Sequence, residues 1–228
     1  MPDMNGKGGV GHRGRETAYA FARYGAYVAV VDLDKLGGVA TEEHINSIGG
    51  EAIFIEVDVS QEMQVKDMVD QTLAAFGRLD YTHDNAGIDG EQALLADQTT
   101  ENWNRVIAVN LSGVFFGMKY EIPAMLKRGK GAIVNTASVA GLKGFGNIAP
   151  YVASKHGVAG FTKSAVADYG TSGIRFNALC HRGDQHPDGC RFLEGESRAH
   201  RRCRRQYADG QDGRAICDGR SGRLALLG

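Results

Sequence analysis

Short apolar runs alternate along most of this chain with stretches of helical periodicity. Tyr27-Val-Ala-Val-Val-Asp32 has the pattern of a strand covered on both faces, and it ends in an acid. Before it, Thr17 to Tyr24 predicts a helix whose Ala18, Phe21 and Ala22 share a face, with Gly25 as its stop. Ala52-Ile-Phe-Ile-Glu-Val-Asp58 reads as the next strand. Gln61 to Phe76 follows as a helix, because Val65, Met68, Val69, Leu73 and Phe76 recur at helical spacing. Leu79 to Gly87 is a shorter, more polar strand and loop, and Glu101 to Met125 a long helical region. Gly131-Ala-Ile-Val-Asn135 is another buried strand, a helix covers about Pro150 to Tyr169, and Ile174-Arg-Phe-Asn-Ala-Leu179 reads as one more strand. Strands alternating with helices pack as a parallel sheet with right-handed crossovers. The expected fold is α/β, a doubly wound parallel sheet in a single domain, and no internal repeat is apparent.

The length of 228 residues suits one such domain with a sizeable core. A net charge of −1 exerts no global pull toward nucleic acid or membrane. There is no run of about 18 apolar residues, so no transmembrane helix is expected, and Met1-Pro-Asp-Met-Asn-Gly-Lys7 does not read as a signal peptide. The four cysteines (Cys180, Cys190, Cys203 and Cys217) cluster in the last quarter without paired CxxC spacing. That suits a cytoplasmic chain with free thiols.

The chemistry centres on Tyr151-Val-Ala-Ser-Lys155. A tyrosine and a lysine four apart on a helix lie on one face. The ammonium then favours the phenolate and pulls the tyrosine pKa down from about 10, which makes the phenol a general acid or base near neutral pH. Ser138 closes the apolar run of a strand, and a hydroxyl there faces the crevice where open α/β sheets bind ligands. Asn110 lies further upstream, in Val-Asn-Leu-Ser-Gly113.

From about Thr17 to Cys180 the chain resembles the short-chain dehydrogenase/reductase family, whose fold is Rossmann-like. The resemblance implies a catalytic set of Asn110, Ser138, Tyr151 and Lys155. Ser138 would position the substrate oxygen, Tyr151 would exchange the proton, and Lys155 would lower the tyrosine pKa and hold the nicotinamide ribose. Asn110 would order a water that passes the proton on; the alternative, a helix-interior polar group bonded to solvent, is disfavoured by its position relative to Ser138. The implied reaction is hydride transfer between NAD(H) and a secondary alcohol or ketone, with NADP the less favoured coenzyme. The alternative is an inactive remnant that serves, if at all, as a binding or oligomerising module. The helices at 101–125 and 150–169 resemble those that form the family's tetramer interface, so a homo-oligomer, tetramer or dimer, is expected.

For the coenzyme, Asp32 ends its strand 18 residues after Gly14, close to the spacing that puts an acid on ribose hydroxyls; it could equally cap a turn. Asp58 and Val59 resemble the pair that holds the adenine. Asp84-Asn85-Ala86-Gly87 resembles the family's Asn-Asn-Ala-Gly turn, with Asn85, Ala86 and Gly87 matching and Asp84 departing from it. Gly8 and Gly14 bracket a glycine-rich tip in the place of the phosphate-binding finger.

Both ends depart from the family. No apolar strand precedes Gly8, and five glycines among the first fourteen residues make a poor strand. After Cys180 the chain turns rich in Arg, Gly and Asp, so the first and last strands are doubtful. We therefore divide the chain into a dinucleotide-binding domain, 1–180, and an aberrant, poorly ordered tail, 181–228. Shifted by one nucleotide, ordinary codons for Gly8–Gly14, His181–Cys190 and Arg205–Leu226 can spell the family's own words, which suggests a changed reading frame. The arginines at 198–205 as a nucleic-acid arm, or the tail cysteines with His186 and His200 as zinc ligands, fit the composition less well: aromatic residues are nearly absent and the ligand spacing is irregular. No nucleic acid, membrane or metal is expected as a partner.

Overall fold

The computed structural model describes residues 3–7 and 12–180, with side chains from Gly14 onward. Six strands form one parallel sheet: β1 (Asp3–Lys7), β2 (Tyr27–Asp32), β3 (Glu51–Glu56), β4 (Tyr81–Asp84), β5 (Gly131–Thr136) and β6 (Ile174–Leu179), in the order β3-β2-β1-β4-β5-β6. The helices are α1 (His12–Arg23), α2 (Lys35–Ser47), α3 (Glu62–Phe76), α4 (Thr100–Ile107), α5 (Gly113–Leu126) and α6 (Ala149–Tyr169). The expected doubly wound α/β sheet is present.

One expectation is corrected. A strand does precede the glycine-rich tip: β1 lies at the centre, paired with β2 from Asp3↔Val28 to Lys7↔Asp32 and with β4 from Asp3↔Tyr81 to Gly6↔Asp84. Backbone amides and carbonyls make a ladder, and polar residues and glycine supply them as well as apolar ones do. Two flanking strands override the weak local propensity. The expectations about the last strand, the tail 181–228 and its cysteines, histidines and arginines lie outside the described residues.

Alternation along β2 divides the core. Val28 and Val30 face α1 and α2, packing with Ala18, Ala22, Ile45 and Ala52. Ala29 and Val31 face the other side, where Val65, Met68 and Val69 of α3, Met118 and Ile122 of α5, Val158 of α6 and Ile133 of β5 gather. Gly25, at φ +77°, follows α1 in the left-handed conformation that stops a helix, as its sequence predicts. No helix among the described residues is long and apolar enough to cross a membrane.

Candidate active site

The two halves of the sheet diverge on either side of β1, so the carboxyl ends of β1 and β4 open a crevice at the point where strand order reverses. α6 brings its first turns to that crevice, and Pro150, tolerated in a first turn, helps to start it. Tyr151 and Lys155 share a face of α6, with Nζ 5.7 Å from the phenol ring centroid. Lys155 is only 3% exposed, and its ammonium donates a 2.7 Å hydrogen bond to the carbonyl of Thr136. Burial pushes its pKa down to about 8, against the opposing pull of Asp89 and then Cys180.

Ser138 follows β5 in an extended conformation, and its Oγ accepts from the Ala140 amide at 3.1 Å, starting the short turn Val139–Gly141. Gly141 lies directly on α6: a Cβ there would stand 2.6 Å from the Lys155 carbonyl oxygen. The serine loop is thus seated on the helical turn that carries the lysine.

Asn110 falls in a π turn, Ala108–Ser112, between α4 and α5. The long helix expected over 101–125 is therefore broken where this side chain must turn inward. Asn110 is fully buried rather than bonded to solvent. Its Oδ1 accepts from the Ile88 amide at 2.7 Å, and its Nδ2 donates to the Ile88 carbonyl at 2.9 Å and to Ser154 Oγ at 3.1 Å. The side chain anchors the segment after Gly87. Ser154 in turn donates to the Tyr151 carbonyl at 2.7 Å. Gly87 packs between the two groups: a Cβ there would meet Asn110 Oδ1 at 3.3 Å and Lys155 Nζ at 3.4 Å.

On β4, side chains alternate between two polar clusters. Asp84 turns toward α5, where its buried carboxyl meets that of Glu121, to which Thr82 Oγ1 also donates at 2.9 Å. Burial drives the Asp84 carboxyl up to about 7, the hydrogen bond to Glu121 opposing it. The negative charge that an aspartate would bring to this turn is thereby muted. His83 points the other way, to Thr136. Thr136 Oγ1 donates to Asn85 Oδ1 at 3.0 Å.

At the opposite side of the crevice, Asp32 is buried and accepts the Asp34 amide at 2.9 Å, so it does close a turn while standing at the strand end. The Arg15 guanidinium reaches the same turn, near Gly37 and Asp34. Asp58 Oδ1 accepts from both the amide and the hydroxyl of Ser60. Val59 packs on Gly113 and, with Asn85, Ala86, Val109 and Gly117, lines a cavity of about 20 Å³, room for roughly one water. Gly14 is buried in the first turn of α1, and Gly8 lies outside the described residues.

The described residues fit a dinucleotide at both its ends. Gly87 sits tightly against the lysine, where a Cβ would meet Nζ at 3.4 Å, Val59 and Ala86 border the small cavity, and a buried acid ends β2. Residues 7–183 match the model of the short chain dehydrogenase family. The chain belongs to this family. As a short chain dehydrogenase it is an oxidoreductase by lineage. It is 44% identical over 185 residues to 2,5-dichloro-2,5-cyclohexadiene-1,4-diol dehydrogenase of Sphingobium indicum, an alignment covering 78% of this chain and 73% of that relative. It is 42% identical over 166 residues to cyclohexanol dehydrogenase of an Acinetobacter species, covering 73% of this chain and 66% of that one. Among solved structures, NAD+-bound xylitol dehydrogenase superposes with a TM-score of 0.75 at 32% identity, over 78% of this chain and 68% of that chain.

Sequence reasoning missed Thr136, Ser154, Gly141 and Glu121, each of which holds a predicted residue or its loop in place. Ser154 lies inside the Tyr-x-x-x-Lys motif, and its spacing places it on the same helical turn. The others carried no signal, since their partners are distant in the chain.

Proposed function

We propose that this short chain dehydrogenase oxidises a cyclic secondary alcohol, or reduces the matching ketone, with NAD(H) as coenzyme. The observation that carries the reading is the Lys155 ammonium, buried beside the Tyr151 ring and held by the Thr136 carbonyl. A cation so placed favours the phenolate, which lets Tyr151 take the alcohol proton or return it. Ser138 Oγ orients the substrate oxygen against that phenol. Asn110 positions the segment following Gly87 through Ile88, and through Ser154 it steadies the turn of α6 on which Tyr151 stands. A bound nicotinamide supplies the hydride acceptor; the protein supplies orientation and electrostatics. Asp32 would hold the adenosine ribose, Asp58 and Val59 the adenine, and Asn85, Ala86, Gly87 and Lys155 the nicotinamide half. A carboxylate at the ribose repels a 2′-phosphate, which favours NAD over NADP. The cyclic substrate class follows from the names of the two relatives, each a dehydrogenase of a six-carbon ring alcohol or diol. Trp103, Phe115 and Val166 are among the apolar side chains exposed on α4, α5 and α6, with the Phe115 and Phe161 rings 5.9 Å apart, and these exposed groups support self-association into a dimer or tetramer.

The test is turnover of NAD by the purified full chain with cyclohexanol and cyclohexanediols. Tyr151→Phe should lose at least about 100-fold in kcat while still binding NADH. If the unaltered chain binds no NADH, or Tyr151→Phe turns over like the parent, the reading is wrong.

A further inference from the structure

We propose that His83, acting through Thr136, is a positioning residue that sets Lys155 and Asn85 for coenzyme binding; this rests on the dehydrogenase reading above. His83 Nε2 lies 2.9 Å from Thr136 Oγ1, and that hydroxyl donates to Asn85 Oδ1 at 3.0 Å. A hydroxyl has one proton. Because it goes to an amide oxygen, which only accepts, the threonine oxygen must accept from the imidazole, and Nε2 carries the hydrogen. Nδ1 is then a bare nitrogen, and among the described residues it has no hydrogen-bond partner. Burial pushes the His83 pKa down to about 4, so the ring stays neutral and the direction of the bonds does not reverse near neutral pH.

The same threonine faces Lys155 with its carbonyl, the acceptor of the 2.7 Å bond from Nζ. Thr136 therefore joins three groups: its hydroxyl fixes Asn85 on one side and is itself fixed by His83, and its peptide oxygen holds the ammonium. The Asn85 oxygen is thereby committed to Thr136. A buried nitrogen without a partner costs stability, so an apolar residue at 83 would suit folding better. What the imidazole adds is the bond that orients Thr136. Facing the ammonium from the other elements are Asp89, Cys180 and the Tyr151 ring, and none of them lies on β4 or β5.

Two measurements on the full chain test this. In the two-bond ¹H–¹⁵N spectrum of ¹⁵N-histidine-labelled protein, His83 should show the neutral Nε2–H tautomer at neutral pH. By calorimetric titration, His83→Phe should weaken NADH binding about tenfold, and His83→Gln, which keeps a neutral N–H donor, should recover most of it. Thr136→Val should match His83→Phe, and the double variant should be no weaker than either single one. An Nδ1–H tautomer overturns the proposal, and so do full-strength NADH binding by His83→Phe or additive losses in the double variant. Should His83→Phe not fold, the tautomer and the Thr136→Val titration decide in the same way. Absence of NADH binding by the unaltered chain defeats the dehydrogenase reading and this one together, whereas normal binding that ignores residue 83 defeats this one alone.

Discussion

Asp84→Asn replaces one carboxyl of a buried pair with an amide of nearly the same shape. In the native protein burial raises Asp84 from 3.8 to about 7, against the opposing hydrogen bond from Glu121. Each pKa unit corresponds to about 1.4 kcal/mol, so keeping a charge on Asp84 costs the fold about 4 kcal/mol. Below pH 4 the group is protonated in both folded and unfolded chains and contributes nothing. Between pH 4 and 7 the folded chain holds a proton that the unfolded chain has released, and stability falls as pH rises, reaching its full loss above 7. The amide introduced by Asp84→Asn can donate N–H to Glu121, which keeps the Thr82 hydroxyl as its second donor, and the pair then needs no proton. Urea unfolding of both proteins at pH 5 and pH 8 isolates the contribution of the Asp84–Glu121 pair, because titrating groups away from it cancel in the difference. The variant should gain roughly 3 kcal/mol on its parent over that interval, which in thermal unfolding is a relative rise of about 6–12 °C. A difference between the two proteins that is the same at both pH values would refute the raised pKa of Asp84.

Lys155→Met should abolish turnover yet raise stability at pH 7 by up to about 3 kcal/mol, since burial holds the native amine near 8 against 10.5. That gain should vanish between pH 8 and 10.5, where the unfolded chain of the parent binds the extra proton and native stability climbs with pH; paired urea titrations at the two ends check it. Gly141→Ala places a methyl 2.6 Å from the Lys155 carbonyl, backbone against backbone, so the Ser138 loop must lift away. We expect a loss of tenfold or more in kcat/KM alongside only about 1–3 kcal/mol of destabilisation, read from steady-state kinetics and thermal unfolding. Asp32→Ala should move the ratio of kcat/KM values toward NADP by about tenfold or more, and an unchanged ratio would remove Asp32 from the ribose site.

The strands with apolar runs were legible because burial on both faces leaves a continuous signal, as in Tyr27–Asp32 and Gly131–Thr136. The helix Glu62–Phe76 was legible for its period. α2 escaped notice because Gly37 and Gly38 blur its pattern, yet Gly38 is required where the helix lies against the ring of Phe54. β1 was misjudged because its hold on the sheet comes from backbone ladders with two neighbours. Within the site, the four family positions could be named from their motifs. What arranges them could not: the bonds of Asn110 to Ile88, of Lys155 to Thr136 and of Thr82 to Glu121 join residues 22, 19 and 39 apart. Local spacing carries no record of such contacts. Asp84 illustrates the limit, since only the fold buries this carboxyl opposite Glu121 and so raises its pKa.

The central position of β1 also governs how the two sides of the molecule cohere. β2 and β3 stand on one side of it and β4, β5 and β6 on the other, so it is the seam through which the half-sheets are stitched. Asp32 belongs to the first half, and the Ser138–Lys155 cluster to the second. Any molecule long enough to touch both therefore works as a staple across that seam, and its occupancy should slow amide exchange along β1 more than along the outer strands.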